Sequence, residues 1–164
     1  MNPIDPILME LSHEMATTRR LLERVPDPHL AWQPHSKSMT MARLSTHIAE
    51  IPGWVAGILD KDGFEVGGDY TPQSAASAKE ILAMFDAGVA AAEAAIRRQT
   101  MERLSAMWRI TKGGQTIVEM PRMGVIRSLL LNHLIHHRGQ LSVYLRLKDV
   151  PIPSIYGPSA DQPM

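Results

Sequence analysis

The sequence contains no cysteine. Disulfide scaffolds, thiolate zinc fingers, iron–sulfur centres and a cysteine nucleophile are thereby excluded, and any thiol chemistry needs a thiol from outside the chain. There is no surplus of either charge: seventeen Lys and Arg balance seventeen Asp and Glu over 164 residues. The basic excess that holds nucleic-acid phosphates is missing and no groove-reading motif replaces it, so no nucleic-acid partner is expected. Long hydrophobic runs are missing as well. The longest apolar stretch, Leu129 to Ile135, is broken by Asn132 and His133 and flanked by Arg127 and Arg138, far short of the roughly 20 residues a bilayer span needs. The start, Met1-Asn2-Pro3-Ile4-Asp5-Pro6, has no basic region and carries an acid, unlike a secretory signal. These absences predict a cytoplasmic protein with no membrane partner.

What is present is an ordinary globular composition, 45% hydrophobic and 21% charged, on a chain long enough for one domain with a proper core. No repeat or low-complexity linker divides it. A single domain over residues 1–164 is expected, with 149–164 as an extended tail. Charge is unevenly placed. Residues 1–96 hold seven basic and thirteen acidic side chains, and residues 97–148 hold ten and two. Two halves that pack together and neutralise each other explain this most simply.

Four segments have helical periodicity. The first, about Asp5 to Arg24, sets Ile7, Leu8, Leu11, Met15, Thr18 and Leu22 on one stripe, and Pro26 and Pro28 follow it. A connection containing Trp32-Gln33-Pro34 leads to a second helix capped by Ser38 or Thr40. Its stripe is Leu44, His47, Ile51, Val55 and Ile58, and Pro52 costs the bond to the Ile48 carbonyl, predicting a kink just after His47. Gly63, Gly67, Gly68 and Pro72 mark a loop. Ser77 to Glu80 reads as a capping box opening an alanine-rich helix to about Gln99, with Ile81, Phe85, Val89, Ala92 and Ile96 inward. Trp108–Lys112 and Gln115–Met120 flank Gly113-Gly114 as a hairpin. A final helix runs from Pro121 to Leu147, about 39 Å. Its middle is apolar on more than one face (Val125, Ile126, Leu129, Leu130, Leu131, Leu134, Ile135), which suggests a subunit contact. The fold class is all-α, an antiparallel four-helix bundle with a small β-hairpin between helices 3 and 4.

Seven histidines carry the chemical signal. His133 and His137 are four apart on the inward stripe Ile126, Leu130, His133, His137, Leu141, Tyr144. Their rings lie one turn from each other and can reach one metal ion at about 2.0–2.1 Å. His47 replaces an apolar residue in the seam of the second helix. Three imidazoles aimed into a bundle core would form an open metal site, whereas a lone seam histidine is more often a hydrogen-bonded core residue. His136 sits about 100° round from His137 and reads as supporting or interfacial. His13, His29 and His35 lack metal-like spacing. The eleven methionines form no cluster and read as core filler, and Trp54 and Trp108 as packing residues.

The motifs Trp32-x-Pro34, Ser38-x-Thr40, Leu44-x-x-His47-Ile48 and Asn132-His133-x-x-x-His137-Arg138-x-Gln140, in this order over nearly the whole chain, resemble the DinB family of damage-inducible, YfiT-like proteins. The tail from Pro151 to Asp161 resembles one branch of it. The resemblance implies a four-helix bundle holding a divalent metal, nickel or zinc, on one histidine of the second helix and two of the fourth, here His47, His133 and His137. It also implies a homodimer, and characterised relatives join an external low-molecular-weight thiol to a small electrophile or use it for isomerisation. Such a site could activate a thiol or water. Glu50, one turn after His47, is a candidate general base or hydrogen-bond acceptor, with a solvated Glu as the equal alternative. Gln140 and Tyr144 could bond a ligand or the metal's water. Arg138 reads as structural, at a dimer contact. The alternative to an S-transferase or hydrolase is a non-catalytic stress-response dimer, with a structural metal or none.

Overall fold

The computed structural model describes residues 4–67 and 72–163; the first three residues and Gly68 of the expected loop lie outside them. Helix α1 (Asp5–Leu22) has proline in its opening turn, Asp5 at its positive end and Arg19 and Arg20 at its negative end, each placed as the backbone dipole favours. Helix α2 (Met41–Glu50) is capped by Thr40, whose Oγ1 accepts from the Arg43 amide at 3.1 Å. The predicted kink lies further on than expected. The α-helix continues past His47 to Glu50, and the chain then takes one 3₁₀ turn, Ile51–Gly53, before α3 (Trp54–Asp60). Pro52 sits at the start of that turn, where its missing N–H costs least.

Helix α4 (Ala78–Arg97) opens on Ser77, which accepts from the Glu80 amide at 3.2 Å, while the Glu80 carboxylate reaches back to the Ala76 amide at 2.8 Å. A short α5 (Met101–Ser105) precedes the hairpin. The hairpin pairs β2 (Met107–Lys112) with β3 (Gln115–Pro121), and Gly113 and Gly114 turn between them at φ 58° and 76°. Positive φ at both central residues is what a type I′ turn demands, and glycine meets it without strain. One strand was not foreseen: β1 (Gly63–Glu65), inside the expected loop, pairs parallel to β2 and makes a three-stranded sheet.

The last helical rod is continuous from Arg122 but not uniform. Helix α6 (Arg122–Val125) passes into a π-helical stretch, Ile126–Asn132, and then into α7 (His133–Arg146). Helix α1 packs on α4 and α7, α2 packs on the same two, and α3 packs on α4. Gly88 of α4 permits the close pass of the 3₁₀ turn, since a Cβ there would sit 3.1 Å from the Gly53 nitrogen and 3.3 Å from Pro52 Cβ. One contiguous apolar cluster runs through these helices and includes Trp108. The molecule is thus mostly helical with a small sheet; the expected break in the second rod falls at Ile51–Gly53, and the last rod, expected to be whole, changes to π-helix over Ile126–Asn132.

The seven apolar residues expected to leave a second face on the last helix are not a free face. Val125, Ile126, Leu130, Leu131 and Leu134 are buried within the chain itself, and Leu129 and Ile135 are half-buried. Two arginines close the end of α3. The buried Arg122 donates to the carbonyls of Ile58, Lys61, Ala106 and Met107 and to the Asp62 carboxylate, and Arg103 donates to the Leu59 carbonyl and Asp62. Cationic donors at a helix C-terminus satisfy its orphan carbonyls and its dipole. No described helix is long and apolar enough to cross a membrane.

Candidate metal centre

Because α2 packs against α7, their polar interruptions meet. His47 Nε2 lies 3.1 Å from His133 Nε2, and His133 Nε2 lies 2.7 Å from His137 Nε2. One ligand atom from each of the three lies within 4.8 Å of the other two. The spacing of four keeps His133 and His137 on one face because both belong to the regular α7, beyond the π-helical stretch. π-helical turns are rare and recur beside functional sites.

The second ring nitrogens show what the first ones can do. His137 Nδ1 is 2.7 Å from the Gln140 Oε1, and the His133 ring bonds the backbone of Leu129. With the Gln140 oxygen accepting from Nδ1–H, the His137 ring turns its Nε2 lone pair toward His133. Two ring nitrogens at 2.7 Å share either a proton or a common cation. His47 Nδ1 lies 3.6 Å from the Glu50 carboxylate and 3.4 Å from an Arg43 guanidinium nitrogen. Burial pushes all three imidazoles below their ordinary range, His137 to about 4, with mutual repulsion adding to the effect at His47 and His137. They are therefore neutral near pH 7, the form that ligates metal. Two nitrogens on one tetrahedral ion would stand about 3.3 Å apart, a few tenths of an ångström more than the two shorter separations here. The donor set fits a divalent ion of borderline softness.

The remaining expectations divide. Gln140 is at the site, as a holder of His137 rather than a free ligand donor. Glu50 is at the site too, but its Oε2 is ion-paired to Arg43 at 3.2 Å as well as facing His47. Tyr144 is not among the converging rings. Its hydroxyl donates to the Met39 carbonyl at 3.2 Å and its ring stands edge-on to Trp32 at 5.7 Å, so it fastens the loop before α2 to α7. His136 is exposed, with its ring 4.9 Å from His137, and His13 and His35 are exposed. Arg138 is 1% exposed and paired with Glu14 at 2.7 Å inside the chain, which removes it from any surface contact.

Two further residues belong to the site: Trp54, read from the sequence as a packing residue, and Arg43, given no role there. Trp54 places its ring 5.6 Å from both His47 and His133, forming a wall of the site. Its signal was available in the position seven after His47, two turns along the same stripe, but the Pro52 break obscured it. Arg43, one turn before His47, reaches along α2 to Glu50 two turns away. A concavity of about 630 Å³ lined by Asp5, Leu8, Met9, Ser12, His13 and Arg97 includes none of the three histidines.

This arrangement occurs on a chain with known relatives. Residues 2–163 match the model of the DinB family. The uncharacterized protein YrdA of Bacillus subtilis (strain 168) is 27% identical over 159 residues, covering 97% of this chain and 91% of that protein. Among solved structures, a DinB-like protein from Bacillus cereus ATCC 10987 superposes with a TM-score of 0.71 at 22% identity, covering 91% of this chain and 95% of the other. A mycothiol-dependent maleylpyruvate isomerase superposes with a TM-score of 0.50 at 16% identity, covering 87% of this chain and 59% of the isomerase. With a match from one end to the other, the chain belongs to the DinB family.

Proposed function

We propose that His47, His133 and His137 hold one divalent ion, nickel or zinc, and that the protein is a metal-dependent enzyme joining an external low-molecular-weight thiol to a small electrophile. The observation that carries this reading is the convergence of three ring nitrogens: His133 Nε2 lies 2.7 Å from His137 Nε2 and 3.1 Å from His47 Nε2, with one ligand atom of each residue within 4.8 Å of the others. When bound, a divalent ion at an open three-histidine site favours the ionised form of an incoming thiol or water.

A divalent ion would bring either nucleophile to its ionised form near neutral pH, water from far above it and a thiol from a pKa of about 8.5. Glu50, ion-paired to Arg43 and facing His47, is the carboxylate placed to take the proton. What favours the thiol lies outside this geometry. The chain has no cysteine to supply one, and one structural neighbour is a mycothiol-dependent isomerase. Gln140 and the Leu129 backbone hold the rings of His137 and His133, and the Trp54 ring lies against His47 and His133.

The same reading extends to the assembly. We take the rods α1, α2 with α3, α4, and α6 with α7 as an antiparallel four-helix bundle, one domain over residues 1–164, that pairs with a second copy. Val143 and Leu147, four apart on α7 and its C-terminal end and 57% and 56% exposed, supply apolar surface for such a contact. Calorimetric titration of chelator-treated protein with Ni²⁺ or Zn²⁺ tests the site: one ion per chain is expected, and none in His133→Ala. A panel of thiols and electrophiles then tests the reaction. Turnover that requires both metal and added thiol supports transfer; turnover with water alone identifies a hydrolase; metal binding without turnover leaves a binding protein.

A further inference from the structure

Behind the histidine face, α7 carries a second polar cluster that the metal reading does not use. Arg138 directly follows His137 and is buried, yet one of its guanidinium nitrogens lies 2.7 Å from the Glu14 carboxylate of α1. The same nitrogen donates to the Glu14 carbonyl and to Thr18 Oγ1, each at 3.2 Å. Tyr156, from the segment after α7, donates its hydroxyl to Glu14 Oε2 at 2.9 Å and lays its ring 4.8 Å from the Arg138 guanidinium carbon. That segment is itself tied down. Arg20 of α1 donates to the Ser154 carbonyl at 3.2 Å, Arg146 pairs with Asp161 at 2.5 Å, and Asp161 accepts from the Ile152 amide at 2.9 Å.

A buried ion pair is a poor source of stability. Stripping water from two charges costs about what their attraction returns, and apolar residues of similar volume often do as well or better. The best-attested use of such a pair is to specify one register among several. The helix that carries Arg138 has a register in need of specifying. Its π-helical stretch, Ile126–Asn132, stands immediately before His133. A π turn holds one residue more than an α turn. Relaxing it would rotate all that follows by about 100° and shift it by about 1.5 Å, carrying His133 and His137 off His47. Arg138 lies beyond that stretch, and Glu14 and Tyr156 grip it from α1 and from the tail.

We propose that Glu14, Arg138 and Tyr156 are positioning residues that lock α7 in the register left open by the π-helical stretch, and so hold His133 and His137 against His47. The metal consequence of this lock rests on the proposed function; the register itself does not. The double variant Glu14→Leu with Arg138→Met removes both charges and keeps the volume apolar. Its melting temperature is expected to equal or exceed the wild-type value. Amide hydrogen exchange over residues 126–137 is expected to quicken at least tenfold, and Ni²⁺ affinity by calorimetry to fall by tenfold or more. Tyr156→Phe should move both readouts the same way by less, with an unchanged melting temperature. Unchanged exchange over 126–137 in a folded double variant overturns the lock. Wild-type protein that binds no Ni²⁺ overturns the metal reading alone, and exchange then decides the register. If the double variant does not fold, the single variants Glu14→Gln and Tyr156→Phe take its place: quickened exchange over 126–137 supports the lock, and unchanged exchange overturns it.

Discussion

His137 shows how much one side chain's surroundings decide. Its Nδ1 is committed to Gln140 at 2.7 Å, its Nε2 faces His133 at the same distance, and it is 8% exposed. Gln140 therefore acts through the ring it holds, and Gln140→Ala is expected to weaken Ni²⁺ binding about 10–100-fold by calorimetry while leaving one site per chain. The depressed imidazoles also set a pH dependence for metal-free protein. Between the ordinary value of 6.5 and the folded value of about 4 for His137, the unfolded chain takes up a proton that the native site refuses. Stability then falls as pH falls through that window and is level above it. His47 and His133, lowered for the same reason of burial, add in the same direction. Urea midpoints of chelator-treated protein at pH 7.5 and pH 5 measure this, and equal midpoints would contradict it. The i, i+4 spacing of His133 and His137 made their meeting legible in the sequence. The engagement of Glu50 by Arg43 was not, because that pair spans seven residues of one helix and depends on how a long arginine lies.

Among the elements, α2 and the last rod do the placing. Thr40 was legible as a cap from residue type and position, and the Gly113-Gly114 turn from the φ values it needs. The extent of α2 was not. Proline forbids one hydrogen bond, and the chain can take up that loss in a turn of 3₁₀ helix anywhere near it; packing of Ile51–Gly53 on α4 chose the place. Gly88 is the contact that permits this choice. Gly88→Val would drive a side chain into the Gly53 nitrogen and Pro52, and a loss of about 1–3 kcal/mol in urea unfolding is expected from such overpacking. The strand β1 was missed because a three-residue strand has no periodicity to read, and only its parallel pairing with β2, more than forty residues on, makes it one. The π-helical stretch is likewise silent in sequence, since its apolar residues read equally well on an α-helix.

Over the whole molecule, four periodic segments and three histidines on inward stripes were enough to foresee a mostly helical fold with a site between the second and last helices. The order of packing was not readable, because connections this long permit several arrangements. The surplus apolar face of the last helix was misleading for the same reason: the chain buries it with its own α1, α2 and α3. An ion held between two separate rods would bind only the folded chain, so the proposed metal is expected to stabilise the whole. Addition of Ni²⁺ at 100 times its Kd should raise unfolding free energy by about 2.7 kcal/mol, reversed by a chelator, and a melting curve indifferent to both would show that no such linkage exists.

The most direct measurement is anomalous scattering at the nickel edge from crystals grown with one equivalent of Ni²⁺. A single peak per chain is predicted, bonded to Nε2 of His47, His133 and His137 at about 2.0–2.1 Å. A peak elsewhere on the molecule, or none at saturating metal with the three rings still in contact, would contradict it.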